Sequence, residues 1–207
     1  MAATAEDKRT ITHRQLEALV EHHPTDMMIG HGSKNQFRIV ESLRLAVHHV
    51  ARSVPDDALF LYFGDAPNPE KPDIGYAFEY LASIAPKIKF VMIQIDEAKG
   101  WGVPAFVSHV YWHHDYSEHC KWGGLDPDTG KPCSNTKQWV HLAPYITKAF
   151  VLGGGPITVQ EIKLLRELRI PVEVQHLQRR FMGDGKTPVP AKDHCLENMF
   201  GPTISIV

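Results

Sequence analysis

Hydrophobic positions along the chain follow two rhythms: short continuous apolar runs, and stretches in which apolar residues recur every three or four positions. The runs Met27-Met28-Ile29, Ala58 to Phe63, Lys89 to Ile95 and Lys148 to Leu152 predict buried strands near 27–30, 58–63, 89–95 and 148–152. Phe106 to Tyr111 predicts a further strand, and Pro171 to Val174 opens a last one. Helical spacing places Phe37, Val40, Leu43, Val47 and Val50 on one face over 36–52. Ile74, Ala77, Phe78, Leu81 and Ile84 do the same over 74–84, where Pro86 stops the helix. A third amphipathic stretch covers 157–168. Ahead of all these, Thr12-His13-Arg14-Gln15 has the form of a capping box and predicts a helix over 13–22, ended by Pro24.

Strands alternating with helices predict a Rossmann-like α/β fold, a mainly parallel sheet with helices on both faces. Residues 1–23 read as a leader, its first nine residues disordered, followed by the short helix. Residues 24–182 read as one Rossmann-like domain, and 183–207 as an irregular tail rich in Gly, Pro and Lys. Inside the domain, 115–137 is a polar loop insertion, long enough to suggest function or mobility. No internal repeat is present.

Composition narrows the function classes. A chain of 207 residues with 43% hydrophobic residues suits one large domain with a full core. A formal net charge of −2 argues against a general nucleic-acid or membrane-surface binder, since both need a basic field. No apolar run approaches the roughly 20 residues of a bilayer span. The start, MAATAEDKRT, lacks the apolar core of a secretory signal. Cys120, Cys133 and Cys195 are an odd set with no paired knuckles, which fits a reducing cytoplasm better than a disulfide framework.

In open parallel sheets, ligands sit beyond the carboxyl ends of the strands. Three strands reach that edge in small or acidic residues: Gly30-His31-Gly32-Ser33, Gly64-Asp65 and Gly153-Gly154-Gly155. Lys34 and Arg38 follow the first turn and could complete a phosphate clamp. The third turn carries most information, because Pro156 suits the first position of a helix and the uncapped amides of 155–158 would face an anion. Three residues without Cβ let a phosphate approach the backbone. A plain strand-to-helix turn would need only one such glycine.

Ala149-Phe150-Val151-Leu152-Gly153-Gly154-Gly155-Pro156-Ile157-Thr158-Val159-Gln160-Glu161 resembles the phosphate-binding signature of the Lonely-Guy family, P-G-G-x-G-T-x-x-E after an apolar strand. These are nucleoside-monophosphate phosphoribohydrolases, once misannotated as lysine decarboxylases, within a wider nucleotide-binding Rossmann-like superfamily. Gly154, Gly155, Thr158 and Glu161 match the motif, while Gly153 replaces its proline and Ile157 its last glycine. The order of elements over roughly 27–175 is similar too. The family's arginine-lysine pair has no clear counterpart; Tyr111-Trp112-His113-His114-Asp115 stands in its place.

The resemblance implies a nucleotide or nucleotide-derived ligand, hydrolysis of its N-glycosidic bond, and a homodimer. Gly30, Gly32, Ser33, Lys34, Gly64, Gly153, Gly154, Gly155 and Thr158 would hold the ligand and its phosphate. Glu161 would polarise the ribose or an attacking water, with Asp65 as a second acid at the strand edge. Asp73 reads as an ordinary helix N-cap. No cofactor and no metal are expected, nor a nucleic-acid or membrane partner. One alternative is a non-enzymatic sensor or partner-binding domain that keeps the pocket without the hydrolytic set. Another is a metal-dependent hydrolase using His113, His114, His119, Cys120 and Cys133, whose spacing fits no standard zinc site.

Overall fold

The computed structural model describes residues 9–32, 36–64, 67, 70, 72–95, 100, 102–113, 139–178, 180 and 186–188. Its helices are α1 (His13–His22), α2 (Val40–Ser53), α3 (Ile74–Ile84) and α4 (Pro156–Glu167). Its strands are β1 (Thr25–Gly30), β2 (Leu59–Tyr62), β3 (Lys89–Ile95), β4 (His109–His113), β5 (Ile146–Leu152) and β6 (Val172–Gln175), with a 3-10 helix over Val140–Tyr145 before β5. The strands form one sheet in the order β4-β3-β2-β1-β5-β6. Every neighbouring pair is parallel. This is the Rossmann-like α/β architecture that the sequence predicts.

Successive strand residues point to opposite faces, so each buried strand supplies two cores. On one face Met28, Phe60, Tyr62, Phe90, Met92 and Phe150 pack under α2 and α3. Aromatic rings dominate there: Phe60 contacts Phe78, Phe90 and Phe150 at centroid distances of 6.2–6.3 Å, within the range of favourable ring pairs. On the other face Met27, Ile29, Leu59, Leu61, Val91 and Ile93 pack under α1, the 3-10 helix and α4. Leu16 and Val20 of α1 and Trp139 and Leu142 beside the 3-10 helix are buried there.

Local chemistry sets the boundaries. Thr12 and Gln15 form the reciprocal capping box at α1, and the Asp73 carboxylate accepts from the Tyr76 N–H at 3.2 Å, capping α3 as expected. Helix α2 starts at Val40, four residues later than its apolar spacing suggests. Gln36 sits at φ 51, and the amides of Phe37 and Arg38 donate across the fold to Pro72 O (2.6 Å) and Gln178 O (2.9 Å). Amides committed to distant carbonyls hold this segment out of the helix.

Strand β4 likewise begins at His109 rather than Phe106. A turn closes first, with Val107 N–H donating to Pro104 O at 3.1 Å, and pairing resumes when Ser108 N–H reaches Phe90 O at 2.9 Å. The open edge of β4 is covered by the segment before α1: Thr10 bridges Val110, and Arg9 donates to Pro104 O and Val107 O at 3.0 Å each. Covering an edge in this way removes a template for strand pairing between molecules.

One acid is buried in the central strand. Asp26, 2% exposed, accepts from the Thr147 hydroxyl at 2.6 Å. Burial raises its pKa from the ordinary 3.8, with Thr147 and Lys148 opposing that shift in part. A raised carboxyl pKa gives stability that is present below 3.8 and is lost as pH rises through the folded-state value. Asp26→Asn keeps an acceptor for Thr147 and removes this dependence. In urea unfolding at pH 4.5 and 7.5, the variant should lose less stability between the two than wild type; parallel losses would refute the assignment.

Candidate ligand site at the carboxyl edge of the sheet

The order of strands reverses between β1 and β5. After β1 the chain leaves for α2 on one face, and after β5 it leaves for α4 on the other, so the two departing segments frame a crevice. The two strands approach closely at its base. A Cβ on Gly30 would lie 2.4 Å from Leu152 O, so only glycine fits.

Above that contact lies His31, 1% exposed, with its ring edge-on to Phe37 at 4.9 Å. Its Nε2 lies 3.1 Å from Leu177 O. The Leu177 carbonyl can only accept, so this bond forms when Nε2 carries the proton. With the proton on Nδ1 instead, the same Nε2 accepts from the Gly154 amide at 3.4 Å. In either tautomer one buried ring nitrogen ties the end of β1 to a neighbouring segment.

The turn over this imidazole needs its glycines. Gly153 is at φ 61 and Gly154 at φ 138. A Cβ on Gly153 would sit 2.4 Å from His31 Nε2 and 2.7 Å from Leu177 O; one on Gly154 would meet Thr158 at 2.5 Å. Gly155 is the N-cap of α4, and its amide donates to the Thr158 hydroxyl oxygen at 3.3 Å. Of the amides expected to face a ligand, that of Gly155 is thus engaged. The first intrahelical bond is Val159 N–H to Gly155 O, 3.1 Å, so the amides of Ile157 and Thr158 have no acceptor within the helix. These two amides are donors at a helix N-terminus, where the dipole also favours an anion.

Glu161 lies three residues beyond Thr158, on the same side of α4. Solvent reaches part of this residue, yet protein surrounding the carboxyl pushes its pKa from 4.5 up to about 7 by desolvation. No described residue hydrogen-bonds it or pairs with it. A carboxyl poised near neutrality can give or take a proton in catalysis.

Beside the turn is a groove of about 150 Å³ lined by Ile39, Ser42, His176, Leu177 and Gln178. Its Leu177 is the residue whose carbonyl fixes His31, and Arg38 reaches Gln178 Oε1 at 3.5 Å. This volume is smaller than the roughly 300 Å³ or more of a typical ligand pocket, so it suits one part of a ligand.

Gly30, Gly32, Gly153, Gly154, Gly155 and Thr158 come together at the crevice, and Gly64 ends the adjacent β2, where a Cβ would meet Tyr62 Oη at 2.5 Å. Ser33, Lys34 and Asp65 lie outside the described residues, as do the 115–137 insertion and all three cysteines. Sequence reasoning passed over His31. Its signal was its place between two glycines at the end of a central strand. Among the described residues, no group of three His, Cys, Asp or Glu could hold a metal ion, and no helix is long and apolar enough to cross a membrane.

No protein-family model matches the chain, and no curated protein does. Among solved structures, the chain is similar to the Moco carrier protein of Chlamydomonas rheinhardtii, with a TM-score of 0.45 and 13% identity over 74% of this chain and 76% of that chain. The likeness concerns fold alone.

The geometry separates two neighbouring glycine positions. Gly153→Ala should cost at least about 1–2 kcal/mol from its left-handed backbone alone, before the clash with His31 is added. Gly32→Ala, where a Cβ meets nothing within 4 Å, should cost no more than about 0.5 kcal/mol. Equal losses in chemical denaturation would contradict this arrangement.

Proposed function

We propose that this protein binds a nucleotide or nucleotide-derived small molecule at the β1/β5 crevice, with its phosphate on the Gly153-Gly154-Gly155 turn. One observation carries the reading. Helix α4 opens directly after a turn of three glycines, two of them at positive φ, and its amides at 157 and 158 lack intrahelical acceptors. An anion at that point would satisfy both. The resemblance of the turn to the Lonely-Guy signature, in Gly154, Gly155, Thr158 and Glu161, supports a nucleoside monophosphate as the source of the anion.

In the same reading Glu161 supplies acid–base chemistry for cleavage of the N-glycosidic bond. Hydrolysis adds water across the bond between anomeric carbon and base, giving free base and ribose phosphate. Glu161 as carboxylate would take a proton from the attacking water as its oxygen bonds the anomeric carbon, and the carboxylic acid so formed would pass that proton to the departing base nitrogen. A pKa of about 7 leaves a substantial carboxylate fraction at neutral pH.

Two variants separate binding from catalysis. Gly154→Val places a branched side chain against Thr158 and on the path of the phosphate, and should lower affinity for nucleoside monophosphates at least about 100-fold by calorimetry. Glu161→Gln should leave affinity within about threefold while lowering base release, followed by chromatography, at least about 100-fold. Wild-type protein that binds but releases no base would retain the binding reading and replace hydrolysis by sensing. Unimpaired binding in Gly154→Val would place the phosphate elsewhere.

A further inference from the structure

Helix α1 is bracketed by two groups of imidazoles. At its start, His13 lies edge-on to His141 of the 3-10 helix, centroids 5.0 Å apart, and stacks on Tyr111 of β4 at 5.7 Å. His141 in turn stacks on His113 of β4 at 6.4 Å. At the other end, the C-cap residue His23 accepts from Lys89 of β3, Nε2 to Nζ 3.2 Å. His109 of β4 belongs to this second group, since Lys89 and His23 both act on it electrostatically. The carboxylate that faces the first group is Glu17, 3.7 Å from His13 Nε2.

We propose that these two groups make the seating of α1 acid-sensitive: proton uptake at His109 and His141 charges both ends of its contact with the sheet and the 3-10 helix, and α1 then detaches. Each group holds more sites for positive charge than for negative. At the start, three imidazoles face one glutamate. At the end, Lys89 is already a cation, and His23 Nε2 accepts its bond only while unprotonated. Charging either group adds like charges at close range in a half-buried setting, where screening is weak.

The titration directions agree with this placement. Burial lowers the pKa of His141, with His13 and His113 acting the same way and Glu17 opposing. Burial also lowers that of His109, with Lys89 and His23 adding to it. For a histidine whose folded-state value lies below 6.5, the unfolded or detached state binds more protons between the two values. The stabilisation is therefore complete above pH 6.5 and is lost as pH falls through the folded-state value. Detachment would uncover Leu16, Val20 and the buried Trp139, which pack in the same core, so opening exposes apolar surface that is covered at neutral pH.

Amide hydrogen exchange at pH 7.5 and 5.5, corrected for intrinsic exchange and run with a chelator present, tests the proposal, with β2 and β3 amides as the internal reference. In wild type, opening of α1 relative to the sheet should increase at least about threefold at pH 5.5, because the detached state then binds more protons at these histidines. The His109→Gln/His141→Gln variant should abolish most of that increase while its sheet stays protected. If the double variant loses protection throughout, the two single variants carry the test, and each should show a smaller response than wild type. Equal α1 protection in wild type at both pH values would overturn the proposal, as would an undiminished response in the variants.

Discussion

The imidazole of His31 lies so close beneath Gly153 that no side chain could occupy that position, and the rest of the carboxyl edge is arranged around this contact. His31 follows β1, Gly153 follows β5, and Leu177, whose carbonyl lies 3.1 Å from the imidazole Nε2, follows β6. One ring thus joins the ends of three strands at the place where strand order reverses. Below it, the Gly30 backbone touches Leu152 with no room for a Cβ. A buried polar ring in such a position needs its partners, because losing one would leave an unsatisfied group at a cost of about 1–3 kcal/mol. That requirement holds the glycine turn in one shape before any ligand arrives, and preorganised donors lose less entropy on binding.

The two faces of the sheet contribute differently. Under α2 and α3 the core is aromatic and closely interlocked, which gives the crevice a rigid wall. Under α1 and the 3-10 helix the core is mostly aliphatic, with Trp139 as its one fully buried aromatic among the described residues, and its margin is polar, populated by histidines and Lys89. The rigid side carries the groove at Ile39 and Ser42; the polar side carries the helix that responds to acid. The proposed phosphate site and a helix seated by titratable groups can thus share one sheet without sharing residues.

Much of this fold was legible in the sequence. The Thr12/Gln15 capping box, the Asp73 cap and the apolar runs of β3 and β5 are local signals, and each was read within a residue or two of its true boundary. The start of α2 was not legible, because Phe37 and Arg38 donate to Pro72 and Gln178, partners that only the folded chain supplies. The start of β4 was shifted for a similar reason: the bond from Ser108 to Phe90 sets it, and apolar character does not. The 3-10 helix at Val140–Tyr145 is too short to show a period, so its buried Leu142 gave no sign. The site follows the same division. Glycines, Thr158 and Glu161 carry sequence signatures, whereas the role of His31 depends on a carbonyl 146 residues away.

The central claim is that the amides around Gly154 receive the anionic group of a nucleotide. Amide-resolved NMR titration with a nucleoside monophosphate tests it most directly, with the matching nucleoside as the control lacking phosphate. Saturable shifts of the Gly154, Ile157 and Thr158 amides by the monophosphate, absent or much weaker with the nucleoside, are the outcome this account predicts. Saturable binding that leaves those three amides unmoved would contradict it.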